Sequence, residues 1–267
     1  MYGGTSGIKE SYFTVMRKIA ALLPTSVKSR ILAVAKTFIY SGITPEIISL
    51  HAMSIDRALW RIKRRGLEVD TVIDVGASNG MWSALCEKHL PQSKYLLVEA
   101  QEVHRTALQA YCEARQNASF VIAAAGDKVG EIYFDNSEPF GGVASYTQTT
   151  LAKTVTPLIT LNHEVRTRKL PGPYLIKLDT HGFEVPILEG ASDILHETNL
   201  AIIEAYNFKL CEGALKFQEL IEYMHKKGFG VIDISEPLWR EKDLAFWQFD
   251  LFFVPLSRPE FSSNTYR

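Results

Sequence analysis

At 267 residues, 46% hydrophobic and 22% charged, the chain has the length and balance of one large α/β domain, with or without a helical attachment. That composition excludes the disordered, collagen-like and coiled-coil classes. The net charge of −1 conceals a split: residues 1–66 hold eleven Lys/Arg against three acids, so a basic N-terminal part precedes an acidic body.

Up to Gly66 the pattern is helical. Thr25 and Ser26 cap a segment expected to run to about Tyr40, and Thr44, Pro45 and Glu46 are a cap, a first-turn proline and a first-turn acid. A third segment, 54–65, puts Ile55, Leu59 and Ile62 on one face and ends in Lys63, Arg64 and Arg65 before Gly66, as expected at a helix C-terminus. Residues 1–66 therefore read as a basic helical extension and 67–267 as the main domain. No secretory leader is expected, because the first apolar stretch contains Arg17 and Lys18. Residues 31–43 are interrupted by Lys36 and fall short of the ~20 residues a membrane span requires. Cys86, Cys112 and Cys211 are scattered and odd in number, which offers neither a disulfide framework nor a metal knuckle. The expectation is a cytoplasmic protein.

From Val69 short apolar runs alternate with helical stretches at the spacing of βαβ units. Strands are predicted at 71–75, 94–99, 120–125, 174–179, 200–204, 230–234 and 249–254, with helices at about 81–89, 103–114 and 215–227. Near-continuous apolar runs such as VIDV, YLLVE and LAIIE suit a parallel sheet covered on both faces. Between residues 130 and 160 the alternation lapses, and EIYFD followed by a Pro/Gly segment and SYTQTT reads as a hairpin and then a mobile loop.

The strongest local signal is VIDVGASNG, where a buried strand enters a turn containing Gly76, Ala77, Ser78, Asn79 and Gly80 and then a helix. Such a turn lets a ligand approach backbone N–H groups and a helix N-terminus. The spacing G-x-x-x-G misses the dinucleotide fingerprint. Asp74 at the strand end would repel a pyrophosphate and attract the ammonium of an amino-acid ligand, which S-adenosylmethionine offers; alternatively it caps the following turn. Glu99 ends the second strand, where an acid accepts hydrogen bonds from a ribose diol. Ala125 and Asp127, at and after the end of the third strand, are where an adenine is expected, although Asp127 also suits a hairpin turn beside Gly126.

A second cluster is IKLDTHGFEVPILEGA, residues 176–191. Period-two alternation puts Lys177 and Asp179 on one side of the fourth strand, with Asp179 at its carboxyl end beside the ligand crevice of an open α/β sheet. Asp179, His181 and Glu184 then fall within one turn of chain.

With these two motifs the run from about Ser54 to Val254 resembles the FkbM family of S-adenosylmethionine-dependent methyltransferases. VIDVGASNG is similar to that family's cofactor motif, and residues 176–191 to its second hallmark, I-K-[IL]-D-x-x-G-x-E-x-x-x-L-x-G-A, which places Asp179, Gly182, Glu184 and Gly190. Asn162 stands where the family usually has Asp, and His181 where many relatives carry Glu or Gln. The resemblance implies the class I methyltransferase fold: an open, doubly wound, mostly parallel seven-stranded sheet with an antiparallel last strand, here preceded by N-terminal helices. It also implies S-adenosylmethionine as cofactor and methylation of a hydroxyl on a sugar, glycan or natural product, with a small-molecule N-methyltransferase or a non-catalytic nucleoside-binding module as the alternatives.

An alcohol acceptor must lose its proton as the C–O bond forms, so a general base is expected. His181 and Asp179 are the candidates, the latter either taking the proton or orienting His181, while Glu184 is either catalytic or a helix cap. Asp179, His181, Glu184 and Glu204 also offer donors to a divalent metal ion, but no metal-ligand spacing calls for one and no metal site is assigned. Acceptor selectivity is expected from residues 137–150, with Phe140 and Tyr146 as a lid, and from the N-terminal helices. Those basic helices suit an anionic substrate, an acidic membrane surface, a second copy of the chain or plain solvent. A pI near 6.7 argues against nucleic acid.

Overall fold

Thr71–Val75 is buried at every position, and it forms the centre of the sheet because both of its faces are covered. The computed structural model describes residues 51–266, which from Met53 onward form one compact unit. The helices expected before residue 51 lie outside the described residues. The chain runs α1 (Ile55–Arg64), β1 (Thr71–Val75), α2 (Met81–Glu87), β2 (Lys94–Glu99), α3 (Arg105–Glu113), β3 (Ala118–Ile122), β4 (Ala124–Ala125), β5 (Gly130–Asp135), β6 (Val143–Ser145), β7 (Thr154–Ile159), α4 (Leu161–Arg168), β8 (Tyr174–Leu178), α5 (Glu184–Glu189), α6 (Ser192–Leu195), β9 (Thr198–Tyr206), α7 (Phe217–Lys226), β10 (Phe229–Trp239) and β11 (Phe246–Pro255).

Seven strands form one sheet in the order β10-β11-β9-β8-β1-β2-β3. Pairing is parallel from β3 to β9, and β11 runs antiparallel to both β9 and β10. The chain moves outward from β1 through β2 to β3 and returns to β8 on the other side of β1, so the carboxyl ends of β1 and β8 flank the switch point of the sheet. Ile73 and Val75 face one core cluster with Ile176 and Leu178, while Val72 faces the other with Leu175 and Cys86 of α2.

α1 begins at Ser54, whose hydroxyl accepts the Arg57 N–H at 3.4 Å. Its charge groups it with the basic extension, yet Ala58, Leu59 and Ile62 are buried in the second cluster and Arg61 and Arg65 bond Asp233 of β10 at 2.8 and 2.9 Å. Packing therefore ties this helix to the compact unit.

Residues 130–160 depart from the expected hairpin and mobile loop. β5 and β6 do pair as antiparallel neighbours, but they belong to a four-stranded sheet of order β4-β7-β5-β6. Its buried residues include Ala124, Ala125, Ile132, Phe134, Leu158 and Ile159. The sequence hides this sheet because β4 is two residues long and Pro157 interrupts the strand signature of β7. Among the described residues no helix is long and apolar enough to cross a membrane.

Candidate active site

The turn after β1 is shaped by left-handed backbone at Gly76, Ser78 and Gly80. Gly76 is needed because the ends of β1 and β8 nearly touch: the Asp179 N–H donates to the Val75 carbonyl at 3.0 Å, and a Cβ at Gly76 would stand 2.0 Å from the Asp179 carbonyl oxygen. Beside this turn opens a cavity of about 780 Å³, part of it open to solvent. Its walls include Gly76, Ser78, Glu99, the Ala123–Ala124–Ala125 run, Phe134, Phe140, Asp179, His181 and Phe183. Its lining, mostly apolar with a few polar groups converging on it, is that of a small-molecule site.

At one end Glu99 is fixed by backbone. Its two carboxylate oxygens accept the N–H groups of Ser78 at 2.7 Å and Gln101 at 2.8 Å, and each keeps a lone pair for a ligand. Burial raises its pKa against the effect of those two bonds. Gln101 and His104 in turn bond the Pro139 carbonyl at 3.0 and 2.7 Å, and Phe140 lies against the His104 ring with centroids 5.4 Å apart. The segment expected to be a lid is thus tied to the end of β2.

The other end is built from charge. Lys177 donates to Asp179 Oδ2 at 2.9 Å, and its ammonium is 3.9 Å from Asp74 Oδ1. Burial disfavours that ammonium, but Asp179 and Asp74 more than offset the penalty and keep it charged. Burial likewise opposes ionisation of Asp179, and Lys177, aided by His181, reverses it and holds the carboxyl below its ordinary range. His181 takes a left-handed conformation at φ 52°, its Nδ1 lies 3.1 Å from the Gly142 carbonyl oxygen, and its Nε2 lies 3.5 Å from Asp179 Oδ1 and 3.7 Å from Glu204 Oε2. Glu204 accepts from the Tyr206 hydroxyl and from Gln248, and burial together with the Asp179 charge pushes its carboxyl upward.

Of the residues expected at the site, Gly76, Ser78, Glu99, Ala125, Asp179 and His181 are brought together around the cavity. The others lie elsewhere. Asp74 is fully buried on the α2 face, where Oδ2 accepts from Ser83 at 2.7 Å and Oδ1 has no hydrogen-bond partner among the described residues; burial raises its pKa although Lys177 opposes this. Ala77 is packed in the core, the Asn79 side chain accepts the Met81 N–H at 3.2 Å, and Gly80 caps α2. Asp127 accepts from the Tyr146 hydroxyl. Glu184 is 5% exposed and closes its own loop, accepting from the Gly182 N–H at 2.8 Å and the Thr180 hydroxyl at 3.2 Å. Phe134 lies outside both motifs, Phe183 stands inside the second but carries no chemical signal there, and Glu204 enters the site from β9. Only Glu204 carried a signal, as an acid near a strand's carboxyl end.

The sheet order, the left-handed turn after β1 and the strand-end acids define a Rossmann-like α/β domain with its ligand crevice at the switch point of the sheet. Residues 74–231 match the model of the methyltransferase FkbM domain, and the chain belongs to that family. No curated protein matches the chain. Among solved structures it is similar to a methyltransferase FkbM from Methylobacillus flagellatus KT, with 16% identity, a TM-score of 0.46, and 90% of this chain against 58% of that chain covered. This chain thus spans little more than half the length of that relative. It is also similar to precorrin-6y C5,15-methyltransferase from Geobacter metallireducens GS-15 (11% identity, TM-score 0.42, 75% and 87% covered). A third similarity is to Sp1610 from Streptococcus pneumoniae in complex with S-adenosyl-L-methionine (12%, 0.42, 74% and 72%).

Proposed function

We propose that the chain transfers a methyl group from S-adenosylmethionine to a hydroxyl of a sugar, glycan or natural-product small molecule. The observation that carries this reading is one cavity with Glu99 at one end and Asp179 with His181 at the other. The residues present fit the cofactor: Glu99 would hold the ribose diol, the apolar wall at Ala123–Ala125 and Phe134 suits a purine, and the turn at Gly76 and Ser78 admits close approach. Asp179, kept ionised, suits the positive groups of the amino-acid end. When bound, S-adenosylmethionine supplies an electrophilic methyl group on a positively charged sulfur.

The chain's own work is alignment and proton handling. Displacement at a methyl carbon needs the acceptor oxygen in line with the bond that breaks, and holding it there is worth effective molarities of about 10⁵ M or more. A hydroxyl placed against His181 Nε2 and Asp179 Oδ1 meets two acceptors, and transfer of its proton to such a group contributes roughly 10² to 10⁴ in rate. Asp74 supports this end from behind through Lys177, and Glu184 holds the loop that carries His181.

The test is to titrate the protein with S-adenosylmethionine and then supply methyl-labelled cofactor with parallel panels of hydroxylated and amine acceptors. Saturable binding with label in alkali-stable ethers is expected. Absence of binding, or label confined to amines, would overturn the assignment.

A further inference from the structure

We propose that Asp179, His181 and Glu204 bind one divalent transition-metal cation, through Oδ1, Nε2 and Oε2 respectively. Their donor atoms all lie within 4.8 Å of one another, with Nε2 at 3.5 and 3.7 Å from the two carboxylate oxygens. Neighbouring ligands of an octahedral ion with bonds near 2.1 Å are about 3 Å apart, so a small inward movement of the side chains closes the set on a shared ion.

A second observation comes from outside the three residues. The Gly142 carbonyl oxygen, 3.1 Å from His181 Nδ1, accepts only if Nδ1 carries a proton, and in the neutral ring that leaves a lone pair on Nε2. A lone pair and two carboxyl groups then converge on one point, an arrangement satisfied by a proton shared among them or by a cation at their centre. The ring nitrogen remote from a metal usually donates in this way to a backbone carbonyl. Lys177 on Asp179 Oδ2 and Gln248 on the other oxygen of Glu204 hold the carboxylates from outside in the same manner, and the Tyr206 hydroxyl donates to Glu204 Oε2 itself.

One imidazole and two carboxylates suit Mn²⁺, Fe²⁺, Co²⁺ or Zn²⁺ better than the all-oxygen shells of Ca²⁺ or Mg²⁺. Glu184 is not in the set, because Gly182 and Thr180 take its carboxylate. With an ion bound, polarisation of the acceptor hydroxyl would come from the ion rather than from Nε2. That consequence rests on the methyl-transfer reading; the site itself does not.

The experiment is titration of the chelator-dialysed full chain with Mn²⁺, reading free Mn²⁺ by electron paramagnetic resonance, and with Zn²⁺ by competition against a chromophoric chelator. One ion per chain is expected, with affinity reduced about tenfold or more in His181→Ala and in the isosteric Glu204→Gln. Thermal unfolding of each variant reports that it is folded, and Tyr206→Phe, which keeps all three ligands, is expected to weaken the ion by a smaller factor. No stoichiometric binding of either ion, or binding that survives both ligand substitutions, would overturn the proposal and leave the central charge as a proton only. Cofactor titration in parallel separates the two readings: loss of S-adenosylmethionine binding with retained Mn²⁺ binding would contradict methyl transfer and not the ion site.

Discussion

The two ends of the cavity are held in place by different physics. At the Glu99 end the fixing groups are backbone: N–H groups of Ser78 and Gln101, a left-handed turn, and a carbonyl of Pro139 that ties the far wall to β2. At the Asp179 end they are charged side chains, Lys177 against Asp179 and Asp74, with His181 between Asp179 and Glu204. Backbone fixes a shape with little dependence on pH, which suits recognition of a constant ligand. Charges packed together respond to protons and to each other, which suits chemistry. Substitutions at the first end should therefore move cofactor affinity, and those at the second should move turnover or pH dependence.

The largest effect is expected from His181→Ala, which removes the acceptor at Nε2. Turnover should fall by roughly 10² to 10⁴, while the S-adenosylmethionine dissociation constant measured by calorimetry changes little. Equal losses in both quantities would erase the distinction between the ends. Gly76→Val comes next, because its Cβ would meet the Asp179 carbonyl oxygen at 2.0 Å on a backbone with φ +78°. Denaturant unfolding should show a loss of about 3 kcal/mol or more, since β1 and β8 must separate. Glu99→Ala is expected to weaken cofactor binding about tenfold to a hundredfold, the worth of a hydrogen bond to a charged group, and to leave turnover at saturation nearly intact.

The smallest expected effect is a stability change with pH at the charged end. Burial pushes the Asp250 carboxyl up from 3.8 to about 6, with Lys177 opposing and Asp179 reinforcing the rise. An acid whose folded value is raised binds its proton more tightly in the folded state. Its contribution is complete below the unfolded value of 3.8 and is lost as pH climbs through about 6. Asp250→Asn should remove that loss and stabilise the protein near neutral pH by up to about 2 kcal/mol, visible as a higher Tm than wild type above pH 6 and a smaller difference near pH 4.

How much of this was legible in the sequence follows from the kind of signal each part carries. β1, β2 and β8 are continuous apolar runs ending in Gly or acid, so their place and the positions of Glu99 and Asp179 could be read directly. Asp74 shows the limit of such reading. Period-two alternation sets it opposite Ile73 and Val75, but only the tertiary packing shows that α2 covers that face while the cavity opens on the other. Glu204 could be read as a strand acid, yet its approach to His181 depends on β9 lying beside β8 with Leu178 opposite Ile203. The small sheet escaped because pairing across a two-residue strand and a proline-containing one is a property of neighbours rather than of local pattern.

The arrangement as a whole is tested most directly by the structure of the protein crystallised with S-adenosylhomocysteine. The ribose hydroxyls are expected on Glu99, the adenine against Ala123–Ala125, and the sulfur directed toward Asp179 and His181. A nucleoside bound away from Glu99, or a sulfur facing away from that pair, would contradict the division of the cavity into a binding end and a reacting end.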